Sequence, residues 1–254
     1  MWSGSFGPHP GSARHGWRAD WVFTDRRGGV SDGDFSSLNL ADHVGDDDQA
    51  VSQNRRIVAD SFGSPAVGVA VIRAEHGNRV RVVTGSSGEV IDPGDGLVTT
   101  QSDIALVALA ADCSPVVLAD VENSVIGVVH CGWRGIVAGI VPATIDRMQE
   151  LGASVSSTSA VVGPSICCDC YRVDQECAEQ LRTVSTTAAT CDTNGQWYAD
   201  VPGTVEAILT ERGIQTRVID ECTFTSSQLF SYRRDHRTGR QGAAVVLRGP
   251  GVAP

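Results

Sequence analysis

The stretch Ala110–Gly135, AADCSPVVLADVENSVIGVVHCGWRG, decides how the rest of the chain is arranged. Two apolar, β-branched runs, Pro115–Ala119 and Val125–Val129, flank the polar turn Asp120-Val121-Glu122-Asn123-Ser124. The pattern predicts a hairpin of buried strands. Cys113 lies just before the first strand and His130 ends the second, so an antiparallel pair brings both soft ligands to one end of the sheet. After His130 come Gly-Trp-Arg-Gly and an apolar helical pattern from Ile136, which adds glycines and a helix N-terminus to the same end. A buried Cys or a strand-end His is by itself an ordinary core residue; the combination is what marks a place for chemistry.

Composition narrows the function classes. At 254 residues the chain has enough apolar sequence for a full core, and no Pro/Ser linker divides it, so a single domain is expected. A formal net charge of −10, with acids scattered along the chain, excludes the clustered basic face that a nucleic-acid partner requires. Residues 1–20 contain Gly, Ser, Pro and His without an apolar signal core and read as a flexible leader, leaving 21–254 as the domain. No apolar run is long enough to span a membrane, and a soluble, cytoplasmic protein is expected. There the eight cysteines are thiols or metal ligands rather than disulfides. All twenty basic residues are Arg. The absence of Lys excludes P-loop and Schiff-base lysine enzymes.

In chain order, Trp21–Thr24 reads as a strand, followed by the turn-rich loop Asp25-Arg26-Arg27-Gly28-Gly29. Arginines beside glycines can clamp an anion, because guanidinium forks and exposed backbone N–H groups both suit phosphate oxygens. The spacing predicts a helix over Asp47–Phe62, with Val51, Val58 and Phe62 on one face. A strand over Val67–Ile72 delivers His76, a further strand-end imidazole. Short strands follow at Val80–Val83 and Leu97–Thr99, and the unbroken apolar run Ile104–Ala111 predicts a central strand. Ile136–Leu151 reads as one helix that tolerates Pro142 only in its first turns or at a kink. Ser159–Val162 is a strand that opens into Cys167-Cys168-Asp169-Cys170. Because adjacent cysteines do not easily share one ion, these are expected to be free thiols rather than a metal cluster. Helices near Asp174–Val184 and Gly203–Gly213 alternate with strands at Trp197–Asp200 and Thr216–Ile219. Near the end, Tyr232 and Phe230 beside Arg233 and Arg234 offer an aromatic for stacking with cations for phosphate.

With these residues in view, the chain resembles the laccase-domain or YfiH-like family, whose members are described both as polyphenol oxidoreductases and as purine nucleoside phosphorylases. The resemblance runs from Phe23 to Leu247 through FTDRRGGVSDGDFSSLNLADHVGDD, AEHGNRV, DGLVTT, ADCSPVVLAD, VHCGWRG, GPSICCDCYRV and CTFTSSQLFSYRRDHRTGRQ. ADC with VHCGWRG is its specific part. The resemblance implies an α+β fold of layered α/β/β/α type with mixed sheets, and places catalytic zinc ligands on His76, Cys113 and His130. Two imidazoles and one thiolate leave a tetrahedral zinc one open position. The sequence departs from the family at Ala74-Glu75, where Gln-Val is usual, at Cys131, where Ala is common, and at Cys167 and Asp169 through Arg172. These changes bear on the pocket wall rather than on the three ligands.

The leading expectation is therefore a zinc enzyme, with copper binding possible in vitro, that takes small-molecule nucleosides and phosphate. It would phosphorolyse adenosine, inosine, guanosine or methylthioadenosine and deaminate adenosine, with Arg26, Arg27 or Arg134 holding phosphate charge. A copper-dependent laccase is the first competitor. Multicopper sites need many imidazoles and this chain has six histidines, with His9 and His15 in the expected leader. The second competitor is a metal-free Cys–His hydrolase with Cys113 as nucleophile and His130 as base, acting on an amide such as a peptidoglycan precursor. A non-catalytic binding module comes last, because three ligand-type residues fall at strand ends.

Overall fold

Ile104–Ala110, Ser114–Asp120 and Val125–Cys131 are buried at every position. A strand without an exposed face needs cover on both sides, and the architecture supplies it. The computed structural model describes residues 1–63, 68–85, 90–91 and 93–250. Its strands are β1 (Trp2–Phe6), β2 (Arg18–Phe23), β3 (Gly68–Ile72), β4 (Val80–Val82), β5 (Val90–Ile91), β6 (Gly96–Thr99), β7 (Ile104–Ala110), β8 (Ser114–Asp120) and β9 (Val125–Cys131). They continue as β10 (Thr158–Val162), β11 (Arg172–Val173), β12 (Ala189–Cys191), β13 (Trp197–Ala199), β14 (Gln215–Val218) and β15 (Gln241–Arg248). The helices are α1 (Asp48–Asp60), α2 (Trp133–Val137), α3 (Ile140–Glu150), α4 (Gln175–Arg182), α5 (Val201–Glu211) and α6 (Tyr232–Asp235).

Two six-stranded mixed sheets form the centre, ordered β1-β2-β15-β7-β3-β5 and β14-β10-β8-β9-β6-β4, with a small third sheet β11-β13-β12. Side chains alternate along each strand, so each central strand serves two cores. Between the sheets, Trp21, Phe23, Leu106, Val117, Val128 and Val245 interlock. Leu106 has no exposed surface, and its truncation to Ala costs about 2–5 kcal/mol through lost transfer energy and the cavity left behind. The outer face of the first sheet, including Val107 and Val246, packs under Val58 of α1 with Leu38, Leu40 and Phe62. The outer face of the second, including Val116, Leu118 and Val129, packs under Ile140, Val141 and Ile145 of α3 and Val205 and Leu209 of α5. The result is the layered α/β/β/α arrangement, matching the fold of the relatives described below.

Local chemistry sets the element ends. Asp47 caps α1 by accepting from the Ala50 N–H at 2.8 Å. In the β8–β9 turn, Asp120 accepts from the Asn123 N–H at 3.2 Å and the Asn123 Nδ2 at 2.8 Å. Its Oδ2 also accepts from the Ser154 N–H at 2.7 Å, tying the turn to the chain that enters β10.

Three expectations change. Residues 1–20 are not a detached leader: β1 pairs antiparallel with β2, with Trp2 opposite Phe23 and Phe6 opposite Ala19. Its Trp-Ser-Gly-Ser-Phe does alternate with period two, but the small residues between the aromatics weaken the pattern, and its partner is out of sight in the sequence. Ile136–Leu151 is two helices rather than one. Gly139, at φ 84°, takes the left-handed conformation that ends α2 and opens α3, which leaves Pro142 in the first turn of α3 where its missing N–H has no helical partner to lose. The strand expected over Val67–Ile72 begins at Gly68, Val67 lying outside the described residues.

Candidate metal and active site

The hairpin register pairs Ser114 with Cys131 and Pro115 with His130, so Cys113, one residue ahead of β8, comes to the His130 end of β9. His76 arrives on the loop between β3 and β4. The ligand atoms of His76, Cys113 and His130 all lie within 4.8 Å of one another. The two imidazole rings meet edge-on, with centroids 4.8 Å apart at 86°. His130 is buried, Cys113 half-buried and His76 exposed, so the cluster opens from the core towards solvent. The β8–β9 hairpin alone pairs Cys113 with His130; His76 joins them on the connection that leaves β3 of the first sheet.

Two left-handed residues aim this cluster. His76 itself has φ 60° and Asp112, directly before Cys113, has φ 95°. Such backbone costs energy in a non-glycine residue and persists where its surroundings hold it. Asp112 is held by the Thr223 hydroxyl, which donates to Oδ1 at 2.7 Å, and by the Arg233 N–H, which donates to Oδ2 at 2.6 Å. His76 is held by Asp95.

Asp95, on the turn into β6, is the organising residue that sequence reasoning missed. It is fully buried. Its Oδ1 accepts from the His76 N–H at 3.0 Å and from the His130 ring at Nδ1 at 2.8 Å, and its Oδ2 accepts from the Gly77 N–H at 2.7 Å. Its carbonyl also accepts from the His130 N–H at 2.7 Å. With Nδ1–H committed to a carboxylate, His130 presents Nε2 to the cluster, the arrangement that orients a metal-bound imidazole and raises its basicity. Burial raises the Asp95 carboxyl, but the His130 and backbone hydrogen bonds prevail and hold it below the usual carboxylate range.

The same groups polarise Cys113. Burial pushes its thiol up, yet the neighbouring His130 and His76 outweigh this and bring it down to about 6. Burial lowers His130, while the Cys113 thiolate and Asp95 raise it to about 10. A thiolate paired with an imidazolium is the ground state of the free cluster. Gly132 closes it: a Cβ there would stand 2.8 Å from His76 Cδ2 and 3.3 Å from Cys113 Sγ. Two imidazoles, a thiolate, a buried carboxylate behind one imidazole and a glycine that leaves room form a donor set suited to a borderline-soft divalent ion.

The cluster lies at the floor of a cleft of about 710 Å³. Arg134, Arg233 and Arg240 reach its walls, with Trp133, Tyr171, Tyr232, His43 and His236. Among the described residues none of the three arginines is within salt-bridge distance of a carboxylate. Arg134 stacks over Trp133 at 4.4 Å, Arg233 over Tyr171 at 5.1 Å and Arg240 over Tyr232 at 5.6 Å. Burial pushes the Tyr171 phenol well above its ordinary range, so it stays a neutral donor.

Arg26 and Arg27, expected at the anion clamp, are outside this wall. Arg27 is bound to Asp25 at 2.6 Å, and Arg26 donates to the Ser36 carbonyl at 2.7 Å while covering the Phe230 ring. Arginines beside glycines look alike in sequence; only tertiary structure separates those that line the cleft from those that lie outside it. The cysteines of the 167–170 run are free. Cys167 and Cys170, in C-x₂-C spacing, come together with Cys222, and their sulfurs lie within 4.8 Å of one another. The partner needed to see this is distant in the chain.

The family described as multi-copper polyphenol oxidoreductase laccase matches residues 20–248. A purine nucleoside phosphorylase of Corynebacterium glutamicum is 39% identical over 229 residues, covering 89% of this chain and 93% of that protein. One of Streptomyces coelicolor is 40% identical over 231 residues, covering 90% and 96%. Among solved structures, the hypothetical protein YfiH of Bacillus licheniformis superimposes with a TM-score of 0.84 at 29% identity over 91% of this chain and 93% of that one. YlmD of Geobacillus stearothermophilus does so with a TM-score of 0.82 at 29% identity, covering 92% and 93%. Matched over nearly its whole length in sequence and in fold, the chain belongs to the laccase-domain, YfiH-like family.

Proposed function

We propose that this protein is a zinc-dependent purine nucleoside phosphorylase that splits adenosine, inosine, guanosine or methylthioadenosine with phosphate and also deaminates adenosine. The observation that carries the reading is a three-ligand cluster at the floor of a cleft walled by three arginines without carboxylate partners. The names of the Corynebacterium and Streptomyces relatives support the same activity. His76, Cys113 and His130 hold the ion. Copper outranks zinc in affinity for such donors, so copper binding in vitro is expected, but a thiolate with two imidazoles in a reducing cytoplasm suits zinc. All eight cysteines are free. No helix among the described residues is long and apolar enough to cross a membrane.

When bound, the ion supplies Lewis acidity. The protein supplies the rest. Arg134, Arg233 and Arg240 neutralise phosphate and hold it against the anomeric carbon, an arrangement worth most in a cleft that excludes water. Tyr232, 54% exposed at the rim, offers a face on which a purine stacks. Tyr171 donates a hydrogen bond from a phenol that stays protonated. Asp95 keeps the proton of His130 on Nδ1, so that Nε2 remains a ligand. In phosphorolysis the C–N glycosidic bond breaks, a phosphate oxygen bonds to the sugar, and the purine nitrogen leaves with a proton.

Product chromatography at several phosphate concentrations tests this. Adenine and ribose 1-phosphate are expected only with phosphate, and inosine at a rate indifferent to it. Neither product, together with phenol oxidation that requires added copper, would restore the laccase reading. One observation favours a second reading: Cys113 and His130 stand together, the neighbouring imidazole lowering the thiol and the thiol raising the imidazole, and such a pair also serves a Cys–His hydrolase for amides such as a peptidoglycan precursor. Alkylation of Cys113 that is unaffected by zinc, with turnover unaffected by chelators, would select it.

A further inference from the structure

A second group of soft ligands lies outside the nucleoside cleft. Cys167 and Cys170 stand at the two ends of a tight turn in which the Cys170 and Tyr171 N–H groups donate to the Cys167 carbonyl at 3.1 and 3.0 Å. This turn puts both side chains on one side. Opposite it, Ser165 and Cys222 pair in a short parallel bridge, and the Cys167 N–H points at Cys222 Sγ at 3.3 Å. An amide N–H aimed at sulfur stabilises a thiolate more than a thiol, because it meets a full negative charge. All three sulfurs are half-buried, within reach of an ion from solvent.

The scaffold around them is stiff. Arg234, paired with Asp235 at 2.8 Å, donates to the carbonyls of Thr223 at 2.8 Å, Ser226 at 2.9 Å and Leu229 at 2.8 Å, which fixes the loop carrying Cys222. Asp112 ties both segments to the cleft, its carbonyl accepting from the Ile166 N–H at 2.9 Å and its carboxylate from Thr223. A disulfide between any two of these cysteines would leave the third sulfur unused. An ion uses all three.

We infer that Cys167, Cys170 and Cys222 form a second metal site, a three-thiolate cradle for a thiophilic d¹⁰ cation such as Zn(II) or Cu(I), distinct from the cluster of His76, Cys113 and His130. Such an ion cross-links the 163–171 and 221–234 segments, which carry Tyr171, Tyr232 and Arg233 of the cleft wall, so its role is to hold that wall in place. The site adds a C-x₂-C pair to a remote cysteine, a soft donor set in which thiolates outweigh imidazole, whereas the first cluster has the opposite balance.

The test is Cd(II) titration of the reduced full-length protein, read by thiolate-to-cadmium charge-transfer absorbance and by mass-spectrometric mapping of alkylation. The wild type is expected to take up about two ions with about four Cd–S bonds, and Cys113→Ala about one ion with about three quarters of the absorbance. Cadmium should protect Cys167, Cys170 and Cys222 of the wild type from alkylation and leave Cys168 and Cys191 reactive. Cys170→Ser and Cys222→Ser should each remove most of the absorbance that Cys113→Ala retains. Where either variant fails to fold, the alkylation map of the wild type decides alone. Loss of all charge-transfer absorbance in folded Cys113→Ala, alkylation of the three cysteines unaffected by cadmium, or a disulfide among them in protein purified under reducing conditions overturns the inference.

Discussion

Replacing Asp95 by Asn is a nearly isosteric change whose consequences follow from three hydrogen bonds. Oδ1 of Asp95 accepts from His130 and from the His76 N–H, and Oδ2 accepts from the Gly77 N–H. An amide has one oxygen. If that oxygen takes the Oδ1 position, the NH₂ group faces the Gly77 N–H at the 2.7 Å contact, donor against donor. If it takes the Oδ2 position, the NH₂ faces both the His130 ring and the His76 N–H, which is worse. The first orientation is therefore preferred; it leaves the Gly77 N–H and the amide NH₂ facing each other without an acceptor and replaces two charge-assisted bonds by neutral ones. Leaving these donors without a partner costs about 1–3 kcal/mol, and each charged acceptor lost costs about another 1 kcal/mol, so the free protein should lose about 3–5 kcal/mol in urea unfolding. Zinc affinity should fall further, by about 10–100-fold, because the carboxylate no longer fixes the ring of His130 or the backbone of His76. Competition with a chromophoric chelator at neutral pH measures that affinity, and circular dichroism confirms that the variant is folded. A folded Asp95→Asn protein with wild-type zinc affinity would falsify the role given to this carboxylate.

Gly132→Ala isolates steric closure from backbone strain, since Gly132 has φ −82°, which alanine adopts freely, yet its Cβ would meet His76 Cδ2 at 2.8 Å. Zinc affinity should drop at least about tenfold with little change in unfolding free energy; an unchanged affinity means the three ligands give way easily. Binding should also release protons in a pH-dependent count. Between the Cys113 value of about 6 and the His130 value of about 10, the free pair is thiolate and imidazolium, and ligation needs thiolate and neutral imidazole. Calorimetry in buffers of different ionisation enthalpy should give about one proton per zinc near pH 8 and about none above about pH 10, and no release near pH 8 contradicts the ion pair. Finally, Arg240→Ala should raise the KM for phosphate about tenfold, while Arg27→Ala, whose guanidinium is already held by Asp25, should leave it nearly unchanged; equal effects would return the clamp to the 26–27 loop.

What was legible in the sequence is what depends on neighbours in the chain. The β8–β9 hairpin could be read because its two apolar runs and its polar turn are contiguous, and with it came the meeting of Cys113 and His130. Asp95 was hidden inside DGLVTT, where an Asp-Gly pair looks like any turn; its role exists only because the N–H groups of His76 and Gly77 and the ring of His130 converge on it from other loops. The arginines show the same limit. Arg26 and Arg27 sit among glycines that suggest an anion site, but Arg27 is paired with Asp25 and Arg26 covers the Phe230 ring outside the cleft, whereas the fold brings Arg240 to the cleft wall. Strand β1 went unseen for want of its partner, and Cys222 for want of the turn it faces.

His76 follows a strand of the first sheet, His130 ends a strand of the second, and Cys113 lies on the connection that carries the chain from one sheet to the other. The β8–β9 hairpin alone pairs Cys113 with His130, but the third donor comes on the β3–β4 connection between the sheets, so a chain with one sheet formed and the other still open offers two of the three donors at most. Metal capture is thereby a report of completed assembly. An ion that needs all three donors would add its full binding energy to the docked state alone and so sharpen the cooperativity between the two sheets. It also means that a partly unfolded molecule gives its metal up rather than carrying it, and that chelators should speed global unfolding rather than loosen one loop.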